Sequence, residues 1–359
     1  MMSFALFILV YFADIEKPQK LESTEKIIAV SGGGYFPVMI KMQNGWLGAV
    51  IRGGASHLGI KGRLDWIYSK DDGQTWSKPS VIVDSEYDDR NPALGQMQDG
   101  TIVMAYAEAT TYNEKGEFDT SIGTYTMFYV TSSDNGVTWS EKKPLYHGPI
   151  KLGSPYGKIV LLPDGTALMP VYGDYNPQYT GALQIPEGTK NISGILRSKD
   201  NGNTWSDFSI ISATDHNETA LLVMPDGKIV AMMRTYSKSD VELSESIDGG
   251  YTWSQPKQIT RPNEHPADLC LLENGDILLV YGNRNKPYGV GGMLSHDKGE
   301  TWDSKNRFLV GWTSQNTDCG YPSVIQLDDG NIVVMYYSVG TEERPNEEMA
   351  IVARFKLQP

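Results

Sequence analysis

The sequence predicts an all-β fold, a six-bladed β-propeller of four-stranded antiparallel blades. Three observations predict it. An octapeptide of the form S-x-D-x-G-x-T-W occurs five times, at 69–76, 132–139, 198–205, 246–253 and 295–302. A second turn, Asn-Gly or Asp-Gly followed by a β-rich run, occurs six times, with glycines at 45, 100, 165, 227, 275 and 330. No stretch keeps a 3.6-residue apolar period for a dozen residues without Gly or Pro.

Each residue of the octapeptide has a reason. A fixed Asp bonds the backbone N–H groups of a tight turn. A fixed Gly supplies a positive φ without steric cost. A Trp is large enough to pack beneath the turn and pin it. Asn-Gly and Asp-Gly between apolar runs are strong hairpin signals. An octapeptide lies in each of the five gaps between the six hairpins. One unit is then strand, Asx-Gly turn, strand, variable loop, strand, octapeptide, strand. The hairpin glycines recur every 48 to 65 residues, which suits propeller blades with loops.

The sixth unit lacks the octapeptide and ends in one strand, over 349–357. A β-type run at 26–30 can supply its missing strand and protect the open edge. The expected propeller domain therefore covers 23–359. Residues 3–13 (SFALFILVYFA) form an apolar run too short to cross a bilayer. A leader or weak signal segment over 1–22 is expected, with an ordinary buried strand as the alternative. The corresponding localisation is secreted or periplasmic, with a cytoplasmic placement as its rival.

Composition narrows the function classes. The net charge is −13, so no basic excess exists to displace counterions from nucleic acid. Two cysteines allow at most one disulfide and no cysteine-rich metal cluster, and two buried free thiols are expected. The five histidines show no metal-ligand spacing, and Gly32–Gly34 lacks the Lys-Ser/Thr of a phosphate loop. No cofactor, no metal and no membrane span are expected. The longest insertions, 107–125 and 173–193, carry Tyr112, Tyr175, Asn176, Gln178 and Tyr179. They suit sugar binding or a solvated lid equally.

The octapeptide is the Asp box, and the six-unit plan resembles the sialidase (neuraminidase) superfamily from about residue 27 onward. The Asp box marks the propeller but not the activity, since the resemblance implies that it stands on the outer edge of the blades, as in sialidases. Function has to be argued from other residues. The channel mouth is expected just before each Asx-Gly turn and just after the strand that follows it. In the fourth unit, Asn217-Glu218-Thr219 precedes the turn and Arg234 ends the next strand. The fifth unit carries Gly282-Asn283-Arg284 and the sixth opens Gly320-Tyr321-Pro322-Ser323. The resemblance makes Tyr321 the nucleophile, Glu218 its base, and Arg234 and Arg284 the grip on a substrate carboxylate.

The chemistry fits these residue types. Sialidases use a tyrosine where most glycosidases use a second carboxylate. A phenol needs a nearby base to become a nucleophile. Arginine pairs with carboxylates in bidentate fashion. Two departures stand out. Phe36, in Gly34-Tyr35-Phe36-Pro37, occupies the place of the family's first arginine. The loop at 53–63, where the acid/base Asp belongs, contains no Asp or Glu. His57 is the first candidate for that proton and Asp65 the second. Arg90, in a similar motif opening the second unit, is the candidate for the missing cation. Arg52 is expected to face the mouth, and His265 and Asp268 to line the pocket.

The resulting expectation is an exo-acting glycoside hydrolase of sialidase type. It releases a terminal acidic sugar from a glycan by a retaining mechanism. The alternatives are a glycosidase or lyase on another glycone, such as a uronate, and a non-catalytic glycan-binding propeller.

Overall fold

The computed structural model describes residues 18–21, 24–146 and 148–357. The apolar run at 3–13 lies outside the described residues. Six sheets follow one another along the chain. The first is Tyr35–Lys41, Leu47–Gly53, Arg63–Ser69 and Ser80–Val83, each strand antiparallel to the next. The second runs Asp88–Gln96, Ile102–Ala109, Tyr125–Ser132 and Lys143–Pro144. The third runs Ile150–Pro155, Ala167–Tyr175, Asn191–Ser198 and Phe208–Ser212. The fourth runs His216–Val223, Ile229–Thr235, Val241–Ser246 and Lys257–Gln258. The fifth runs Glu264–Leu271, Ile277–Asn283, Gly289–Ser295 and Phe308–Val310. The sixth runs Cys319–Gln326, Ile332–Val339 and Glu348–Phe355, and Glu25–Ser31 completes it as the outer strand. No helix occurs among the described residues. Gln19–Lys20, within the segment expected to be a leader, pairs in parallel with Phe308–Leu309 of the fifth blade.

Packing between blades closes the ring. In the first blade, Met39, Ala49 and Ile51 pack against Val333, Met335 and Val352 of the sixth. Val38 and Val50 pack against Leu94 and Met104 of the second. Residues 49 and 51 thus face one neighbour and residue 50 the other, as a two-residue period demands. In the fourth blade, Ala231 and Met233 face the third and Val230 and Met232 the fifth. Because both faces are buried, these strands read as continuous apolar runs rather than clean alternation. Each such Val, Ile or Met contributes about 1.5–3 kcal/mol by leaving water.

The Asp boxes share one set of Ser, Asp, Gly and Thr hydrogen bonds, and three of the five add an indole bond. In the first, Ser69 Oγ donates to Asp71 Oδ1 at 2.7 Å and accepts from Gly73 N at 2.8 Å. Asp71 also accepts from Thr75 N at 2.9 Å and Thr75 Oγ1 at 2.6 Å. Trp76 Nε1 donates to Gly73 O at 3.2 Å, tying the half-buried indole to the turn. Gly73 has φ 80°, which a side chain would resist. Ser69 lies opposite Leu47, the first residue after the hairpin turn. The boxes therefore share the hairpin end of the blades, opposite the mouth.

At the mouth, all six inner strands lose register at one place. The shifts fall at Tyr35/Val38, Arg90/Ala93, Lys151/Ser154, His216/Thr219, Glu264/Ala267 and Gly320/Ser323. Such bulges bend a strand and re-aim a side chain. Phe36, Asn91, Leu152 and Tyr321 occupy them with φ of 51°, 55°, 49° and 49°. A non-glycine residue in that region costs on the order of 1–3 kcal/mol. The surrounding packing offsets that cost, and the bulges bring Phe36 and Tyr321 together, with 4.8 Å between ring centroids.

Candidate functional site

Three residues from two blades meet at the mouth. Tyr321 is on the inner strand of the sixth blade, Glu218 on that of the fourth, and Arg234 ends the strand next to Glu218. Tyr321 Oη donates to Glu218 Oε1 at 2.8 Å. Arg234 Nη1 lies 3.1 Å from each Glu218 oxygen and 3.1 Å from Tyr321 Oη. The Tyr321 ring is walled by Phe36 at 4.8 Å and Tyr156 at 5.4 Å between centroids. Burial raises the Tyr321 phenol above its ordinary range and the Glu218 charge adds to that, while Arg234 and Arg284 oppose it. The phenol is therefore held neutral, with an acceptor for its proton already in hydrogen-bond contact.

Arg284 comes in from the fifth blade, its guanidinium 5.8 Å from the Tyr321 ring centre. Its Nη1 donates to His265 O and lies 3.2 Å from His265 Nδ1, and its Nε donates to Thr317 O at 3.2 Å. His265 is pushed down to about 2, first by burial and then by the charges of Arg284 and Arg234. It is a neutral acceptor that aims Arg284.

On the other side of Phe36 stands His57, with 5.0 Å between ring centroids. His57 Nδ1 lies 2.6 Å from Asp318 Oδ1, and Tyr337 Oη donates to the same oxygen at 2.7 Å. Burial works to raise the Asp318 pKa, but bonding and charge from His57 hold that carboxyl below its usual range. The loop that carries His57 is fastened from below. Arg52 donates to Ser56 O at 2.5 Å and Gly59 O at 3.0 Å, and to Asp88 Oδ1 at 2.5 and 3.0 Å.

Arg52 therefore does not face the mouth. It is 0% exposed, and its charge is met by Asp88, so its surroundings are those of a buried strut. Arg90 is buried beside it, donating to Asp88 Oδ2 at 3.0 Å, with its guanidinium 5.8 Å from the Phe36 ring. It sits behind Phe36 rather than in the open mouth. Tyr112 of the first long insertion donates to that same Asp88 oxygen at 2.6 Å. Asp65 is on the third strand, tied to Arg63 Nε at 2.9 Å, and shares no hydrogen bond with the Tyr321 group. Asp268 lies deeper in the channel, accepting from Val324 N at 2.7 Å and paired with Lys158 at 2.6 Å. Lys158 belongs to a short crossing strand, Gly157–Lys158, that joins the second blade. This ion pair spans the channel below the site.

The structure thus brings Tyr321, Glu218, Arg234, Arg284, His265 and His57 around one mouth. It places Arg52, Asp65 and Asp268 in structural pairings and Arg90 one layer behind. Asp318, Tyr337 and Tyr156 are absent from the residues singled out by sequence. A usable signal existed for the mouth itself. Phe36, Asn91, Glu218 and Tyr321 each stand nine residues ahead of their hairpin glycine. No comparable signal marks Asp318, whose partner is 261 residues away.

The chain matches the BNR repeat-like domain family over residues 46–334. It is similar to a sialidase of Paraclostridium sordellii, 25% identical over 204 residues, or 52% of this chain and 48% of that protein. It is also similar to a sialidase of Bacteroides fragilis, 24% identical over 228 residues, or 58% of this chain and 38% of that one. The chain spans about half the length of these relatives or less. Among solved structures, a protein of unknown function from Dyadobacter fermentans superposes with a TM-score of 0.78 at 22% identity, over 94% of this chain and 100% of that chain. With the six-bladed ring, the repeats and these matches together, the chain belongs to the BNR repeat-like domain family of the sialidase propeller superfamily.

Proposed function

We propose that this chain is an exo-acting glycoside hydrolase of sialidase type, cleaving a terminal acidic sugar with retention. The observation that carries the reading is the Tyr321–Glu218–Arg234 triangle, with a 2.8 Å hydrogen bond from phenol to carboxylate. Glu218 takes the phenolic proton as Tyr321 Oη attacks the anomeric carbon. A proton passes from His57 to the leaving oxygen, so that bond breaks without expelling an alkoxide. The sugar is then bound to Tyr321. His57, now neutral, takes a proton from water, whose oxygen displaces Tyr321, and Glu218 returns the phenolic proton.

Arg234 and Arg284 carry the charge that a substrate carboxylate needs. A neutral nucleophile suits such a substrate, because a carboxylate would repel it. The similarity to sialidases supports the activity class, and the named residues support the chemistry.

One observation favours a second reading. Phe36 fills the place where a third arginine would stand, and Arg90 lies behind it. A smaller acidic glycone such as a uronate is then the competing substrate. A panel of aryl sialosides and aryl uronides separates the two. Release from the sialoside, with a fluorinated sialosyl donor trapped on Tyr321 by peptide mass spectrometry, is the expected result. Turnover of the uronide alone would move the chain to the second reading, and sugar binding without turnover on any aryl glycoside would make it a lectin-like propeller.

A further inference from the structure

We infer that Asp318 is a positioning residue for His57, and that the pair replaces the carboxylic acid expected in the first-blade loop. The inference rests on the glycosidase reading above and extends it. The loop at 53–63 carries no acidic side chain, so a proton donor there must be His57 or come from another blade. His57 alone would be a poor one, since an imidazole on a glycine-rich loop has no fixed direction. Asp318 supplies that direction from the sixth blade, just ahead of the Tyr321 strand.

The geometry is specific. Asp318 Oδ1 accepts twice, from His57 Nδ1 at 2.6 Å and from Tyr337 Oη at 2.7 Å. A carboxylate held ionised by these contacts can only accept. Nδ1 must therefore carry a proton, which leaves Nε2 as the ring nitrogen that gives and takes one. Nε2 has no hydrogen-bond partner among the described residues. The other groups around His57 leave this assignment intact. Phe36 is apolar and nearly perpendicular to the imidazole, and Tyr337 Oη is 3.4 Å from Nδ1. Tyr35, its ring centroid 5.9 Å from that of His57, is held neutral by burial, and Arg284 adds positive charge that favours the Asp318 carboxylate. The backbone is held separately, with Arg52 bonding Ser56 O and Gly59 O on either side of His57 and Tyr112 Oη accepting from Gly59 N at 3.0 Å.

The proton balance is simple. Nε2–H of the imidazolium passes to the leaving oxygen as the glycosidic C–O bond breaks. Asp318 stays a carboxylate throughout, and the ring left behind is the neutral Nδ1–H form. That form then takes a proton from water in the second step. An aryl leaving group departs without this help, whereas a sugar leaving group requires it.

The test uses two readouts on the full chain. Side-chain ¹⁵N spectra at pH 9 report the His57 tautomer, with His57→Gln identifying its signals. We expect the Nδ1–H form in the native protein and the Nε2–H form in Asp318→Asn. The ratio kcat/KM, which reports the step that expels the leaving group and not the hydrolysis of the shared Tyr321 adduct, is compared on a nitrophenyl sialoside and a sialyl-lactose. For Asp318→Asn and His57→Gln we expect a loss on the order of 10²-fold with the sugar leaving group and less than about threefold with nitrophenyl. Asp318→Ser repeats both measurements should the Asn variant fold poorly. An unchanged tautomer, or an equal loss on both substrates, overturns the inference. A native chain inert to both substrates and to aryl uronides instead overturns the glycosidase reading itself.

Discussion

Tyr321 Oη and Glu218 Oε1 stand 2.8 Å apart, joined across the channel by residues 103 positions apart in sequence. Arg234 bonds both, so the three form one unit rather than two pairs. The Tyr321→Phe variant should therefore keep its fold and lose kcat by on the order of 10³-fold or more. Glu218→Gln keeps a hydrogen-bond acceptor but no base, and should lose about 10²–10⁴-fold. Steady-state rates on an aryl sialoside, with circular dichroism as the folding control, check both. Native turnover by Tyr321→Phe would remove the phenol from the mechanism.

Phe36 separates His57 from Tyr321 and shields Arg90. Replacing it by arginine brings a second cation next to Arg90. Phe36→Arg should lower Tm in the free protein and tighten binding of free sialic acid at least about tenfold, the scale of one charge-assisted hydrogen bond. Calorimetry with that sugar, beside thermal melts with and without it, reads both effects. Unchanged affinity would show that the ligand carboxylate lies elsewhere.

Asp88 is the shared carboxylate of Arg52 and Arg90, and the Arg52 and Asp88 side chains are both 0% exposed. Asp88→Ala leaves the buried guanidiniums of Arg52 and Arg90 without their shared carboxylate and should cost about 3–5 kcal/mol or more. The midpoint of urea unfolding measures it. A loss below about 1 kcal/mol would mean that Arg52 reaches water by relaxation.

Acid should destabilise the fold in two stages. His265 has a folded-state value of about 2, below its ordinary 6.5, so the stability tied to its neutral form is full above pH 6.5 and drains as pH falls towards 2. The Asp boxes act lower down. Asp248 is lowered to about 2 from 3.8 even though burial opposes the shift, through bonds from Thr252, Ser246 and Tyr251. Its contribution is full above pH 3.8 and is lost as pH falls through 2. Thermal melts from pH 8 to 2.5 should show a gradual fall below pH 6.5 and a steeper one below pH 4. His265→Gln should flatten the first stage. Asp248→Ala should lower Tm by a few degrees at pH 7 while kcat stays unchanged, because the box lies at the opposite end of its blade. A change in kcat there would couple the boxes to the site.

The sequence by itself determined the blade count, the strand order within a blade and the closure of the last blade by the chain's beginning. These rest on local chemistry: Asp, Gly and Trp at fixed offsets specify a turn wherever they occur, and the turns set the register. Tyr321, Glu218, Arg234 and Arg284 were legible for the same reason, since their distance from a hairpin glycine fixes the end of the blade they occupy. Only the tertiary structure decided which polar residues at that end are spoken for. Arg52 looks like Arg234 in sequence, each ending the second strand of its blade, yet Asp88 buries one and the open mouth receives the other. Asp318 joins His57 across a gap of 261 residues, because ring closure sets the last blade beside the first. A hydrogen bond of that kind depends on blade packing, and no local pattern encodes it.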